Sequence, residues 1–355
     1  MSSPGIKQAN KNFEHWLERQ LNGEVVTGDL KKKRKKMSDG PFPFLRATYW
    51  RWSETILQVC PDLQRAPPVL AVGDIHLENY GTWRDAEGRL VWGVNDFDEA
   101  ANMPYGLDLV RLAASALLKQ KAWDAEDICA AIIEGYRRGL AEPRAFVLDE
   151  GRTWLLNRLA VSTEERQGFW DHMDNLKPAI PPARYRAAIV KTMPEQKSKM
   201  KFAPRSAGLG SLGRARWVGI ADWRGGRVVR ECKVLTASAW TRVFAPKALK
   251  QQSGAISAGR YRSPDPWYHV ANGLVVRRLS PNNRKIEFGS GNAGNLLDAK
   301  LLRAMGRELA NVQHGAQDRR KAVEADLAKR KPDWLLNNAT AAADFVTREF
   351  REWSK

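Results

Sequence analysis

Acidic and amide side chains recur at short intervals between positions 73 and 98. Gly73-Asp74-Ile75-His76-Leu77-Glu78-Asn79 is followed by Asn95-Asp96-Phe97-Asp98. Between them Asp85-Ala86-Glu87-Gly88 reads as a turn, and Leu90-Val91-Trp92-Gly93-Val94 as the strand returning from it. Such a hairpin gathers the carboxylates of Asp74, Asp96 and Asp98 and the amide of Asn79. Oxygen donors of this kind suit a hard cation such as Mg²⁺. An Asp, an Asn five residues later and an Asp-Phe pair beyond a hairpin also meet the needs of phosphoryl transfer from ATP. The first Asp takes the proton of an attacking hydroxyl, and the Asn and the later Asp hold metal on the phosphates. On this reading Asp74 is the base, and Asn79 and Asp96, joined by Asp98, are the metal ligands. The competing reading is a hairpin with surface acids.

A second stretch carries phosphate chemistry. In Gly208-Leu209-Gly210-Ser211-Leu212-Gly213 the glycines let backbone amides approach a phosphate closely. The spacing alone is weak, because its dinucleotide-binding version needs a strand before it and a helix after it. Here a strand follows: Arg216 to Ile220 alternates, Arg224-Gly225-Gly226 makes a turn, and Val228 to Leu235 reads as a second strand. A glycine-rich loop, a hairpin, then a lysine on a strand is the arrangement in which the lysine meets the α- and β-phosphates. Lys233 is that lysine, with Gly208, Gly210, Ser211 and Gly213 as the loop. Taken alone, Lys233 would read as an exposed strand residue. Alternation puts Glu231 on the same strand face.

Three motifs occur in order: GDIHLENYG at 73–81, NDFDEA at 95–100 and DLVRLAAS at 108–115. Together they resemble the bacterial family DUF2252. The first is also similar to the His-Gly-Asp-Leu-His-x-x-Asn loop of aminoglycoside phosphotransferases and their kinase-like relatives. The resemblance implies an α+β, two-lobed protein-kinase-like fold, ATP and Mg²⁺ as cofactors, and transfer to an unidentified hydroxyl acceptor, small molecule or protein. It implies that Asp108 braces the backbone of the catalytic loop; the simpler role is a first-turn acid or N-cap of its helix. His76, Glu78 and Arg111 are expected to support the loop. Pro41-Phe42-Pro43-Phe44-Leu45-Arg46 resembles a family segment ahead of the loop, which leaves Arg46 either pointing its rigid fork of donors at phosphate or sitting in an ion pair. The family's Lys-Glu-Ala is Lys233-Val234-Leu235 here, so the usual lysine partner is open. The segment 274–279 reads as a strand and resembles a family strand that bears an Arg, and it is expected to edge the adenine site. The helix 301–314 resembles the one that precedes the catalytic loop in aminoglycoside phosphotransferases, with His314 as a structural helix-end residue.

In ordinary kinases the glycine loop comes before the catalytic loop. Here it comes after. Keeping both assignments requires a circularly permuted kinase-like fold, which close surface termini permit. The expected division is an N-terminal helix and basic arm at 1–40 and the catalytic half of a mostly helical large lobe at 41–200. A small β-rich nucleotide-binding lobe follows at 201–290, and helices return to the large lobe at 291–355. Helices are expected near 46–60, from Asp108 onward, near 124–141 and at 334–353, with Val69 to Val72 as the strand that delivers Asp74.

The 355 residues suffice for a large core. With 58 Lys and Arg against 40 Asp and Glu, the formal charge of +18 favours an anionic partner such as nucleotide, phosphorylated substrate or nucleic acid, or serves solubility alone. The run Lys31-Lys32-Lys33-Arg34-Lys35-Lys36 is expected to be exposed. It suits nucleic acid or stands as a solvated arm, and nucleic acid is not the favoured partner. A second reading follows, a catalytically degenerate kinase-like protein that binds nucleotide or nucleic acid through this basic surface. A two-metal phosphoesterase needs further histidine blocks, and of the five His only His76 sits in one. Cys60, Cys129 and Cys232 lack metal spacing and read as reduced, buried thiols of a cytoplasmic protein. The start shows no apolar leader, and no apolar run reaches membrane-spanning length, so no membrane partner is expected.

Overall fold

The computed structural model describes residues 4–119, 123–288 and 297–355. Its strands are β1 (Pro68–Ala71), β2 (Tyr80–Arg84), β3 (Leu90–Val94), β4 (Ala101–Pro104), β5 (Phe146–Val147), β6 (Met200–Pro204), β7 (Arg216–Trp223), β8 (Gly226–Val234), β9 (His269–Ala271) and β10 (Leu274–Leu279). Among the described residues they form three sheets, ordered β1-β4, β2-β3-β5 and β6-β7-β8-β10-β9. Every pairing is antiparallel. Helices make up the rest of the frame, so the chain is a mixed α and β protein. No helix of the described residues is long and apolar enough to cross a membrane.

The expected hairpin is present. β2 and β3 pair from Tyr80↔Val94 to Arg84↔Leu90. Their turn closes because Asp85 Oδ1 accepts from the amides of Glu87 and Arg89 while Gly88 takes φ +76°, a region open to glycine. The expected helix over 46–60 is divided in two, Pro41–Ala47 and Tyr49–Val59. Pro41 opens the first, where its missing N–H costs nothing, and the Thr48 hydroxyl closes it by donating to Phe44 O at 2.7 Å.

The basic run differs from expectation. It is not an arm but part of a helix, Thr27–Met37. Nor is it wholly exposed: Leu30, Lys33 and Met37 share one stripe at helical spacing, and Lys33 is buried with its apolar neighbours.

The core of the helical part is the pair Ala125–Ala141 and Ala299–Gly315. A Cβ on Gly135 would lie 1.9 Å from Arg303 O, and one on Gly306 2.1 Å from Ile132 O, so the two backbones touch. Helices Tyr105–Lys119 and Trp334–Ser354 pack beside them. In the five-stranded sheet, Val229 joins Met173, Ala203, Val218 and Ile220 in a small separate apolar cluster. Further along the same face of β8 come the buried Glu231 and Lys233, of which Lys233 reaches Asp98 beyond β3. The opposite face, with Cys232 and Val234, joins the main core.

Candidate active site

β1 ends at Ala71 and the chain turns sharply at Gly73, φ +79°. A Cβ there would meet Glu99 O at 2.5 Å, so only glycine fits. Asp108 holds the turn from below. Its Oδ2 accepts from Val72 N at 2.8 Å and from Gln313 Nε2 at 3.0 Å, and its Oδ1 from Gly73 N at 3.0 Å. Asp108 lies in the first turn of its helix but spends its oxygens on the loop.

Asp74 follows. Arg111 Nη2 donates to its Oδ1 at 2.6 Å and to Leu45 O at 2.9 Å. The Arg111 guanidinium is buried 4.9 Å from the ring centroids of both Tyr49 and Trp52. Burial lifts the Asp74 carboxyl above its ordinary range despite the pull of Arg111. Asn79 ties the two acidic stretches together: Nδ2 donates to Asp74 O and Asp96 O, and Oδ1 accepts from Asp96 N, each at 3.1 Å. His76 Nδ1 accepts from Glu78 N at 3.1 Å. Burial, with Arg46, Lys285 and Arg111 nearby, keeps that ring neutral. Glu78 pairs with Arg46 and accepts from Phe288 N at 3.1 Å. Arg46 is therefore an ion-pair residue, although it also borders the site cavity.

Lys233 reaches this cluster from β8. Its Nζ lies 2.5 Å from Asp98 Oδ2 and 3.6 Å from Asp96 Oδ1. Arg214 adds a contact of 3.4 Å to Asp98 Oδ2 and one of 2.8 Å to Glu99 Oε1. Asp98 is thus an ion-pair residue here, occupied by two cations. Asp96 is the open carboxylate, with its side chain 33% exposed. Burial opposes charge on Asp96, but Lys233, Arg277 and Lys285 outweigh it and hold the carboxyl well below its usual range. Burial and the charge of Asp96 push Asp98 up. Of the two, Asp98 takes a proton first.

These residues fit Mg²⁺ in part. Among the described residues no three His, Cys, Asp or Glu side chains gather as a ready cage. Mg²⁺ does not require one, since it binds through one or two protein oxygens together with phosphates and water. Asp96 and the second lone pair of Asn79 Oδ1 meet that need. Asp98 does not, while Lys233 and Arg214 cover it.

The glycine loop closes the site from above. Gly208 and Gly213 have φ +76° and +99°. A Cβ on Gly210 would lie 2.9 Å from Asp74 Oδ2, so loop and carboxylate are in contact. Ser211 Oγ accepts from Arg216 Nη2 at 2.8 Å. Glu231, the lysine's neighbour on its strand face, is not the lysine's partner: Arg205, Arg216 and Arg277 converge on it. Burial disfavours its charge, yet the three guanidiniums hold its carboxyl far below the usual range.

The cavity left between Asp74, Asp96 and Gly210 is about 40 Å³, room for a few waters. A larger one, about 260 Å³, lies between β10 and the β2–β3 hairpin, with Trp83, Phe97 and Tyr268 among its walls and Arg277 from β10. Lys285 borders both cavities.

Sequence reasoning missed Lys33, Lys285 and Arg214. The spacing of Leu30, Lys33 and Met37 could have revealed the first. Nothing in the local pattern marks the other two.

Residues 26–150 match the family DUF2252, described as an uncharacterized protein conserved in bacteria. That span holds Arg46, Asp74, Asn79, Asp96, Asp98 and Asp108, and it ends before the glycine loop. Neither the curated proteins nor the solved structures contain a match to the chain.

Proposed function

We propose that the protein is an ATP- and Mg²⁺-dependent phosphotransferase with a two-lobed, kinase-like architecture in permuted order, acting on a hydroxyl acceptor. The observation that carries this reading is the contact between Asp74 and Gly210. Two stretches far apart in sequence, each suited to one half of phosphoryl transfer, meet at one point. The sheet supports it as well. The glycine loop joins the first and second strands of the five-stranded sheet, and Lys233 lies on the third, the order in which kinases present loop and lysine.

In this reading Asp74 accepts the acceptor's hydroxyl proton through Oδ2, while Arg111 fixes the other oxygen. Lys233, held by Asp98, presents its ammonium to the phosphates. Asp96 and Asn79 would hold Mg²⁺, which neutralises phosphate charge when bound. The aromatic walls of the larger cavity suit a nucleobase. The small cavity means that the glycine loop must lift to admit phosphates.

Titration calorimetry of ATP with and without Mg²⁺ tests the proposal, on wild type, Asp96→Ala and Lys233→Ala, with circular dichroism to verify folding. Mg²⁺-dependent uptake by wild type and its loss in both folded variants is expected. A wild-type protein that takes up no nucleotide in the presence of Mg²⁺ overturns the reading.

A further inference from the structure

The first half of the helix Thr27–Met37, with Val26 just before it, touches the glycine loop from Ser206 to Gly213. At the near end Ser206 Oγ donates to Asp29 Oδ1 at 2.6 Å, and Lys32 Nζ reaches Ser206 Oγ at 3.3 Å. In the middle Lys33 Nζ donates to Gly210 O at 3.1 Å. At the far end Val26 N donates to Gly213 O at 2.9 Å, and Leu30 packs so closely that a Cβ on Gly213 would lie 2.4 Å from its Cδ2. One element therefore fixes both ends and the apex of the loop that covers Asp74.

Lys33 is the unusual member of this set. It is 4% exposed, and among the described residues no carboxylate lies within ion-pair distance of its ammonium. Its neighbours are the Gly210 carbonyl and the Phe13 ring, 5.4 Å from centroid to Nζ. Asp74, Glu99 and Glu14 act on it only at longer range, against Arg214. Burial, reinforced by Arg214, brings its pKa down to about 8. A buried ammonium with one hydrogen bond is costly to folding, and a neutral apolar side chain would fill the same space more cheaply. Its single polar contact is with the residue that touches the candidate base.

We propose that Lys33 is a positioning residue, which through the Gly210 carbonyl sets the height of the glycine loop over Asp74 and Asp96. The helix Thr27–Met37 is then a strap across the phosphate site, and the basic run exists in part to supply it. This rests on the phosphotransferase reading for its catalytic meaning, but the mechanical coupling stands apart from it.

Hydrogen exchange at residues 207–214 separates the two. The proteins are wild type, Lys33→Met, Lys33→Arg and, as a surface control, Lys36→Met. Lys33→Met should speed exchange of the loop amides by about tenfold or more while β7 and β8 keep wild-type protection. Lys33→Arg, which can still donate to Gly210 O, should restore most of the protection, and Lys36→Met should match wild type. Loop exchange unchanged in Lys33→Met, or loosening spread evenly over the sheet, overturns the proposal. A wild type that binds no Mg²⁺-ATP defeats the phosphotransferase reading but leaves this comparison intact. If Mg²⁺-ATP binds, Lys33→Met should alter the KM for ATP more than Lys36→Met does.

Discussion

Arg111 holds Asp74 by one oxygen and leaves the other free. Its Nη2 lies 2.6 Å from Oδ1, while Oδ2 faces Gly210. A carboxylate gripped in this way has a fixed orientation and one open acceptor, as a general base requires. Asp74→Asn preserves the shape and removes the basicity. It should bind Mg²⁺-ATP as wild type does while transfer falls by about 10²–10⁴-fold. Parallel calorimetry and turnover assays check this, and an Asn variant with wild-type turnover would count against the role.

Burial also sets a pH dependence. Because the Asp74 carboxyl is raised above its ordinary 3.8, the base form appears only at higher pH. The acid limb of kcat/KM should therefore lie above the range of an ordinary carboxylate, with the rate rising as pH increases. Stability moves the other way. A raised carboxyl contributes fully below its unfolded pKa, and that contribution is lost as pH rises through the folded value. Asp74→Asn should show a smaller loss of stability over the same window, measured by urea unfolding.

Lys233 and Asp98 form a buried pair at 2.5 Å. Removing either partner takes the closest counterion from a buried charge and leaves a weaker one, Arg214 for Asp98 and Asp96 for Lys233, so Lys233→Met or Asp98→Asn alone should cost about 2–4 kcal/mol. The double variant should cost clearly less than the two together, by about 1 kcal/mol or more of coupling. Arg214 remains beside Asp98 in the lysine variant and will soften that single loss. Additive losses in a urea-unfolding cycle would show that the pair is not coupled.

Gly210→Ala tests the closeness of loop and base. The new methyl would stand 2.9 Å from Asp74 Oδ2 and 3.3 Å from Arg46 O. The loop must shift outward. Transfer should drop at least about tenfold, while unfolding free energy falls by only about 1–3 kcal/mol, as expected for a local clash. Steady-state kinetics with a denaturation curve separates the two effects.

Lys33 predicts a rise of stability with pH. Its folded pKa of about 8 lies below the ordinary 10.5, so the unfolded chain holds the proton more tightly between those values. The penalty for burying the charge is present below about pH 8 and is relieved as pH climbs towards 10.5. It amounts to roughly 3 kcal/mol. Wild type should therefore gain on Lys33→Met between about pH 7 and about pH 10. Urea unfolding of both proteins at the two values gives the difference, and a constant gap would refute it.

What could be read in the sequence was local. The hairpin announced itself through Asp85 to Gly88, and β7 and β8 through alternation around Arg224-Gly225-Gly226. Asp108 was expected to brace the loop and does contact its amides. Residues whose roles depend on distant partners were opaque. Asp98 looks like a metal ligand until Arg214, just past the glycine loop, and Lys233 of β8 arrive from far along the chain. Glu231 looks like a neighbour for Lys233 until three arginines converge on it. Lys33 was hidden by its own company, because six cations in a row read as solvent-facing when only the sequence is in view. The break at Thr48 between the helices Pro41–Ala47 and Tyr49–Val59 is marked by a hydroxyl contact to Phe44 O and a non-helical backbone that no pattern displays.

The cations that neutralise Asp98 lie more than a hundred residues beyond it in the chain. At about 5–20 residues per second, synthesis delivers them on the order of ten seconds after the hairpin has left the ribosome. Until then Asp96 and Asp98 are neighbouring carboxylates with no counterion, and the hairpin has no reason to bury them. The stretch 26–150, though it carries most of the candidate chemistry, therefore has to wait in the cell for the five-stranded sheet before Asp96 and Asp98 can be buried.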